Sequence, residues 1–236
     1  MILTSKKIVR SLSYGPGMEF KFNMQESQHV GRKASRAFRR EQLIEAVIAT
    51  LANRGISQTT LSEVAKAAGV SHGLINFHFQ SKDALLAETL SFMSNEHRSI
   101  WTAALAGAGP LPANRLNALV LAEFDQVNLS RERLTAWFVF WGEALKGSAY
   151  DDQCGENDRA QVVAFEEACR GLAEQGGYDI DVTQAARVLR LTIFGVKQEL
   201  TLAAVPITLE DALKTVYFTA AMLFPRHFGK DGLVSR

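Results

Sequence analysis

From residue 34 onward, apolar side chains recur every three to four positions, the spacing that buries one face of an α-helix. The first such helix carries an apolar stripe between Arg39 and Gly55, with charged residues on its other faces. The stripe consists of Leu43, Ile44, Val47, Ile48 and Leu51. Gly55 stands where such a helix ends, because glycine readily adopts the conformation that terminates helices. Strand-like alternation is almost absent, so the pattern predicts an all-α fold.

Two short helices are predicted next, each opened by a capping hydroxyl. Thr59 and Thr60 can cap the first, Glu63 lies three residues after Thr60 and completes a capping-box pattern, and Gly69 ends the helix. Ser71 caps the second. Two short helices joined by a tight, glycine-containing turn are the pattern of a helix-turn-helix, here over residues 60–79.

The rest of the chain continues the helical period. Ser81 caps a longer fourth helix that runs towards Trp101. After a break at 107–112, further helices are predicted over residues 113–127, 131–146, 158–174, 183–203 and 209–224. We therefore predict a domain at 34–92 that contains the helix-turn-helix, and a larger C-terminal helical domain at 93–236. Residues 1–33 lack a sustained apolar period, and we expect a disordered basic extension there.

Charge is unevenly distributed along a chain whose net charge is only +1. Residues 1–40 hold nine Lys or Arg against two acids, a net charge of +7, and the remaining 17 bases and 23 acids give −6. A basic end on an acidic body favours a polyanionic partner at that end. A solvated basic tail would give the same distribution, so charge alone leaves both interpretations open.

Composition argues against several other classes. The apolar fraction of 47% and the charged fraction of 22% are those of an ordinary soluble globular protein. No apolar run is long enough to cross a bilayer, and none reads as a secretory signal. Cys154 and Cys169 are too few for a disulfide framework and lack the paired spacing of a zinc site, which favours a reducing, cytoplasmic setting. We expect no metal, no cofactor and no membrane partner.

Enzymatic motifs are missing as well. The chain has no GxxxxGK or HExxH pattern, and its five histidines are scattered. GVSHG at residues 69–73 matches GxSxG, but it lies in a turn between two predicted helices and lacks the preceding strand that a nucleophile elbow needs. A Cys/His nucleophile pair stays open as an alternative, although Cys169 falls in an apolar-periodic helix where a small packing residue is expected. We predict that the protein is not an enzyme.

The second short helix offers the candidate reading surface for duplex DNA. Its outer face near the N-terminus is where helix-turn-helix proteins contact base edges, and hydroxyls and bases on either side can hold phosphates. The predicted DNA-binding set is Thr60, Ser62, Ser71, His72, Gly73, Leu74, Asn76, Phe77, His78 and Lys82. An ordinary helical hairpin, with Phe77 as packing and His78 as a surface histidine, is the alternative.

The surroundings of this motif resemble the TetR family of transcriptional regulators. The resemblance covers residues 36–86 and includes an amphipathic first helix, the stretch AAGVSHGLI and the stretch HFQSKDALL. It implies that the third helix reads the groove and that Lys82 contacts phosphate at the start of the fourth. Many members have tyrosine where this chain has Asn76, whose amide can contact either a phosphate or the N6/N7 edge of adenine.

Within that family, the C-terminal part is similar to the BetI-type branch, the choline-responsive repressors of glycine betaine synthesis. The similarity lies in AEFDQVNLSRERLTAWFVFWGEAL, residues 122–145, and weakens after Tyr150. It implies a ligand-responsive repressor of choline and glycine betaine genes, with a DNA-binding domain at 34–92 and a ligand-binding and dimerisation domain at 93–236. A TetR-type regulator of another apolar or cationic molecule is the alternative, and a helical adaptor that binds only protein is a more remote one.

Aromatic residues in that stretch form the candidate ligand site. Trp137 and Trp141 lie four positions apart, and ring faces can enclose a quaternary ammonium, each contributing roughly 0.5–2 kcal/mol when desolvated. A buried cation needs a compensating charge, and we favour Asp125 over Glu123 or Glu143. The predicted ligand set is Trp101, Phe124, Asp125, Trp137, Phe138 and Trp141. An aromatic stripe at this spacing is equally compatible with the core of a helical bundle.

The helices at 183–203 and 209–224 have wide apolar faces. The resemblance implies that they pair with their copies in a four-helix dimer interface, which we assign to Leu189, Ile193, Val196, Leu200, Leu213, Val216, Ala220 and Phe224. The alternative is that both helices are buried within one chain. In the dimer, the reading helices would lie about one turn of DNA, ~34 Å, apart. The ligand would lower operator affinity by favouring a different spacing.

Overall fold

The structure, a computed structural model, describes residues 32–144, 149–205 and 207–234. Helices make up nearly all of this part of the chain, which confirms the all-α prediction. The helices are α1 (Arg32–Gln58), α2 (Leu61–Ala67), α3 (His72–His78), α4 (Lys82–Gly107), α5 (Pro112–Glu123), α6 (Arg131–Ala144), α7 (Ala149–Gly176), α8 (Val182–Leu202) and α9 (Leu209–Leu223). Of the predicted extension, only residues 32 and 33 are described, as the beginning of α1; residues 1–31 lie outside the described ranges.

The helix-turn-helix forms through the contacts that its sequence predicts. Thr60 accepts a hydrogen bond from the Glu63 amide at 3.2 Å and opens α2. Gly69 adopts a φ of 66° in the turn, a conformation that glycine tolerates at no steric cost. Ser71 then accepts from the Leu74 amide at 3.3 Å and opens α3. Gly55 has a φ of 72° and interrupts α1 at the predicted place.

Two clusters of buried apolar residues hold these helices together. The first, called here the N-terminal core, contains residues of α1, α2, α3 and α4. It also includes Ala136 and Phe140 of α6 and Cys154 of α7. The second, the C-terminal core, joins the end of α4 with α5, α7, α8 and α9. Burying a large apolar side chain stabilises a fold by roughly 1.5–3 kcal/mol. Because α6 packs in the N-terminal core, the helix-turn-helix does not fold around its own residues alone.

The boundaries differ from the prediction in two helices. Helix α7 begins at Ala149, nine positions before the predicted 158. Its polar first turns hid it in the sequence, but Cys154 is fully buried there. Helix α5 ends at Glu123 instead of 127, because Asn128 donates to the Ala122 carbonyl at 2.9 Å and closes a turn.

A short antiparallel hairpin near the C-terminus was not predicted. Strand β1 (Phe228–Gly229) pairs with β2 (Gly232–Leu233). Two-residue strands are too short to leave an alternating pattern in the sequence. Phe228 anchors the hairpin in the C-terminal core, where it is buried.

The residues assigned to a dimer interface on α8 and α9 face the inside of the chain, so that assignment is wrong. All eight belong to the C-terminal core or pack against it. A different set on the same helices is exposed, at Val188, Leu191, Leu202, Phe218 and Met222. Buried and exposed apolar residues alternate along α8 and α9. The helical period of apolar residues therefore did not distinguish the inward face from the exposed one.

Two further points concern the described residues. No helix among them is both long and apolar enough to span a bilayer. Helix α4 runs without interruption across the predicted boundary between 34–92 and 93–236. Those domain ranges therefore stay a prediction.

Candidate functional site

The outward face of α3 carries polar side chains and one glycine. His72, Gly73 and Asn76 are exposed, and Asn76 Nδ2 lies 3.1 Å from His72 Nδ1. A Cβ built on Gly73 would have only Ser71 Oγ near it, at 4.0 Å. The fold itself therefore does not require glycine at position 73. Phe77 is also exposed, to 68%.

The flanks of α3 present donors that are partly engaged within the protein. Thr60 and Ser62 at the start of α2, and Ser71 at the start of α3, are exposed. Lys82 donates from Nζ to the Ile56 carbonyl at 2.5 Å. An ammonium has three donors, so this bond leaves Lys82 able to bind a phosphate as well.

One predicted DNA-contact residue, His78, is turned into the protein. His78 is a correction, because its side chain is only 9% exposed and its ring packs against Phe77 and Phe79, with centroids 5.3 Å and 6.4 Å away. Its carbonyl accepts from Arg40 at 3.3 Å. The helical period of α3 explains the burial of His78, because one side of this short helix packs against the core. Leu74 is partly buried, and its contact with DNA stays a prediction.

A cavity of about 240 Å³ lies among the helices of the C-terminal part. Trp137 and Trp141 of α6 line it and stack on each other, with centroids 5.6 Å apart and planes at 23°. Phe194 of α8 also lines it and meets the Trp141 ring at 5.0 Å. Trp141 donates from Nε1 to the Tyr150 hydroxyl at 3.0 Å. The volume suits a small organic molecule, since pockets for drug-sized ligands begin at roughly 300 Å³.

A buried ionic network forms another part of the cavity lining. Glu123 binds Lys197 through Oε2 and His97 through Oε1, the latter at 2.8 Å, and also accepts from Gln161. Burial alone would raise the pKa of Glu123, but the charges and hydrogen bonds of Lys197 and His97 hold that pKa well below its usual range. Glu123 is therefore a carboxylate that is already neutralised within the protein.

The remaining charged groups of the lining are Asp158 and Arg190. Asp158 on α7 is open to solvent, and hydrogen bonding and charge interactions link its carboxylate to the Tyr150 hydroxyl. Arg190 reaches the cavity from α8. The cavity walls still desolvate the Asp158 carboxyl in part, and this raises its pKa; the Tyr150 hydrogen bond and the charges of His97 and Arg190 oppose the rise.

Of the six predicted ligand residues, only Trp137 and Trp141 line this cavity. Trp101 and Phe124 are buried in the C-terminal core. Asp125 accepts from the Val127 amide at 2.9 Å, which stabilises the turn after α5. Phe138 touches Trp141 edge-on at 5.3 Å from outside the lining. The acid near the rings is thus Asp158, not Asp125.

The sequence reasoning missed the lining residues of α7 and α8. Arg190, Phe194 and Lys197 repeat at helical spacing along α8, and this mixed polar and aromatic stripe was the available signal. The apolar residues between them were instead predicted to form the dimer interface. Within the described ranges, no cluster of three His, Cys, Asp or Glu side chains could hold a metal ion.

Arg133, at the start of α6, joins this helix to two others. It donates to Glu45 of α1 at 2.9 and 2.7 Å and to Glu96 of α4 at 2.7 and 3.0 Å. Its side chain is only 10% exposed. Four residues further along α6, Trp137 lines the cavity. One helix therefore contacts both the N-terminal core and the cavity.

Comparison with known proteins identifies the family. The sequence model of the tetR family of bacterial regulatory proteins matches residues 43–89, and that of the C-terminal part of BetI-type transcriptional repressors matches residues 112–225. An HTH-type transcriptional regulator BetI from Burkholderia thailandensis is 36% identical over 154 residues, which is 58% of this chain and 77% of that protein. The chain belongs to the TetR family, in its BetI-type branch. Regulators of the same name from Burkholderia mallei are 34% identical over 110 residues, 47% of this chain and 56% of theirs.

Solved structures agree with the fold of this BetI-type regulator. A protein from Pseudomonas aeruginosa described as a transcriptional regulator is 30% identical, with a TM-score of 0.67 and coverage of 78% of this chain and 88% of that one. One from Saccharomonospora viridis, crystallised in complex with choline, is 20% identical, with a TM-score of 0.67 and coverage of 85% and 100%. The latter identity supports the fold alone.

The two family matches divide the BetI-type regulator in a way that fits its sites. The first spans the helix-turn-helix, and the second spans α5 to α9, which supply nearly all of the cavity lining. The predicted family, fold and class of function are confirmed. The protein is a DNA-binding transcriptional repressor of the BetI type.

Proposed function

We propose that this repressor acts as a homodimer whose affinity for operator DNA falls when a small quaternary ammonium compound binds in the aromatic cavity. The observation that carries the proposal is the position of α6. Trp137 and Trp141 of this helix line the cavity, while Ala136 and Phe140 pack in the N-terminal core with the helix-turn-helix.

The DNA-reading role is assigned to the outward face of α3. His72 and Asn76 are exposed polar residues near the N-terminus of α3, the part of a helix-turn-helix that contacts base edges. Lys82 and the hydroxyls of Thr60, Ser62 and Ser71 would hold the phosphates on either side. Because phosphate contacts carry no sequence information, the preference for an operator would rest on α3.

The ligand role is assigned to the ring faces and the nearby acid. A trimethylammonium group cannot donate a hydrogen bond from nitrogen, so its recognition relies on aromatic faces and a counter-charge. Trp137, Trp141 and Tyr150 supply the rings, and Asp158 supplies the charge. Glu123 is less suitable because Lys197 and His97 already neutralise it. Choline is the first compound to test, and the S. viridis regulator of the same fold was crystallised with it.

The coupling between the two sites is assigned to α6. A ligand that packs against Trp137 and Trp141 and against α7 or α8 would shift α6 against the N-terminal core. Arg133 would pass the shift to Glu45 on α1 and Glu96 on α4. A ligand alters the equilibrium between two arrangements only by its difference in affinity for them. The arrangement that binds the ligand best would thus hold the reading helices at an unsuitable spacing.

Dimerisation is assigned to the exposed apolar face of α8 and α9. Leu191 is 61% exposed and Met222 is 71% exposed, and such a face is typical of a covered interface. A symmetric dimer matches a palindromic operator. The cytoplasmic setting and the lack of catalytic activity stay predictions of the sequence.

A three-part experiment tests the proposal on the full-length protein. Selection from a random duplex library should return palindromic sites whose half-sites are about one turn of DNA apart. Calorimetry with choline, betaine aldehyde and glycine betaine should find at least one ligand. That ligand should weaken binding to the selected site. A protein that selects no duplex, or whose DNA affinity ignores every quaternary ammonium compound it binds, would contradict the proposal.

A further inference from the structure

Arg190 brings a guanidinium group to the cavity without a direct partner in the protein. Among the residues that the structure describes, it makes no hydrogen bond and no ion pair within 4 Å, although its charge acts on Asp158 across the cavity. The other lysine or arginine of the lining, Lys197, is instead bound to Glu123. A guanidinium has five donors in a planar fork that fits a carboxylate. Its donors are therefore available to a ligand.

The carboxylates of the cavity lining are equal in number to its lysine and arginine side chains. Asp158 and Glu123 are negative, and Arg190 and Lys197 are positive. A ligand that is purely cationic would thus add a net charge to a partly buried site, which is costly. A zwitterion adds none, and it can place each of its poles beside the opposite charge.

The aromatic and basic parts of the cavity lie close together. Trp141 touches Phe194 at 5.0 Å, and Arg190 precedes Phe194 by four residues on α8. Four residues are about one helical turn, a rise of roughly 6 Å. The guanidinium and the aromatic rings therefore face one small cavity, with Arg190 and Phe194 on neighbouring turns of α8, and a compact zwitterion can contact both.

We propose that the cavity is selective for a trimethylammonium carboxylate, a small betaine, whose carboxylate binds Arg190 and whose ammonium binds the rings of Trp137 and Trp141. The inference rests on the proposed role of this cavity as the effector site. It adds a second recognition element, because choline has a hydroxyl where a betaine has a carboxylate. The hydroxyl can accept only weakly from a guanidinium, whereas a carboxylate accepts two charge-assisted hydrogen bonds.

Calorimetric titration of the full-length protein with glycine betaine and choline tests the proposal. Glycine betaine should bind roughly tenfold more tightly or better, because hydrogen bonds between charged groups contribute more than neutral ones. Arg190→Gln should abolish most of that preference while choline affinity changes little. Arg190→Lys, which keeps the charge but not the fork, should retain part of it. Arg187→Gln is the matched control, since Arg187 is exposed on the same helix outside the lining.

The outcomes separate this proposal from the proposed function. Choline bound as tightly as glycine betaine by the wild-type protein would overturn the betaine assignment and leave a quaternary ammonium regulator standing. Equal losses of both ligands in Arg190→Gln, with the thermal unfolding midpoint unchanged, would show that Arg190 only shapes the cavity. Binding of neither ligand would overturn both proposals.

Discussion

Arg133 of α6 and Glu45 of α1 meet through two hydrogen bonds, 2.9 Å between Nη1 and Oε2 and 2.7 Å between Nη2 and Oε1. The two residues are 88 positions apart in the sequence. Their bond ties the helix that lines the cavity to the first helix of the DNA-binding part. Its role in the response to ligand can be separated from its role in stability.

Glu45→Gln should weaken this bond without leaving an unpaired buried charge, because the Glu45 side chain is 48% exposed and Glu96 still neutralises Arg133. Ligand and DNA should each still bind. The factor by which ligand lowers operator affinity, commonly 5- to 150-fold in allosteric proteins, should fall towards one. Measuring operator affinity with and without the ligand identified by calorimetry gives this factor. Glu41→Gln, at an exposed position one turn earlier, should leave it unchanged.

Lys82→Ala should weaken binding to all duplexes by a similar factor, because a phosphate contact is blind to sequence. The salt dependence of binding should also become shallower, by roughly one unit of slope. His72→Ala and Asn76→Ala should instead relax the preference at particular base pairs, each by roughly 1–3 kcal/mol. Binding measured on a panel of single-base operator variants at two salt concentrations distinguishes these effects. A uniform loss in all three variants would show that α3 does not read bases.

Gly73→Ala should stabilise the protein and yet weaken its binding to DNA. A Cβ at this position meets nothing closer than 4.0 Å, and alanine is more favourable than glycine in a helix by about 0.5–1 kcal/mol. In the complex, the added methyl group would occupy space that the DNA needs. Urea unfolding and operator binding on the same sample check both parts. Unchanged DNA affinity would place position 73 away from the groove.

Trp141→Leu and Asp158→Asn should each weaken the binding of a quaternary ammonium ligand while operator binding survives. Leucine removes the ring face, and asparagine removes the charge at nearly constant shape; a single desolvated ring contributes up to roughly 2 kcal/mol. Calorimetry gives the affinities. Asp125→Asn is the matched control, because Asp125 stabilises a turn outside the lining. Equal binding of an uncharged tert-butyl analogue by the wild-type protein would indicate a generic apolar cavity.

The wild-type protein should have twice the chain mass of 26.0 kDa in light scattering at micromolar concentration. The double variant Leu191→Glu, Met222→Glu should have the mass of one chain, because both side chains are exposed on the apolar face of α8 and α9. Its helical circular dichroism should be unchanged. Val163→Glu, an exposed apolar position on α7, serves as the control. A wild-type monomer that binds DNA normally would exclude the interface.

Local chemistry accounts for the parts of the structure that were predictable from the sequence. The helix-turn-helix could be predicted from the sequence, because the caps at Thr60 and Ser71 and the turn at Gly69 depend only on residues close by in the chain. The cavity was harder to predict, because it depends on which face of each helix turns inward. Asp158 and Arg190 come from different helices, and no spacing in the sequence relates them. Asp125 adjoins Phe124 in the sequence, but Phe124 is buried in the C-terminal core and Asp125 stabilises the turn after α5.

The contact between His72 and Asn76 also bears on how strictly the repressor distinguishes sequences. At 3.1 Å, each side chain has the other as a neighbour before DNA arrives. On a matching base, the Asn76 amide gives up its hydrogen bond with His72 and forms one with the base. On a wrong base, Asn76 can keep its hydrogen bond with His72, so the complex avoids the free-energy cost of a buried, unsatisfied amide. The free-energy difference between the right and the wrong base at the pair that Asn76 reads should therefore be smaller than is usual for an amide that reads adenine. The operators of this regulator should tolerate variation at that base pair.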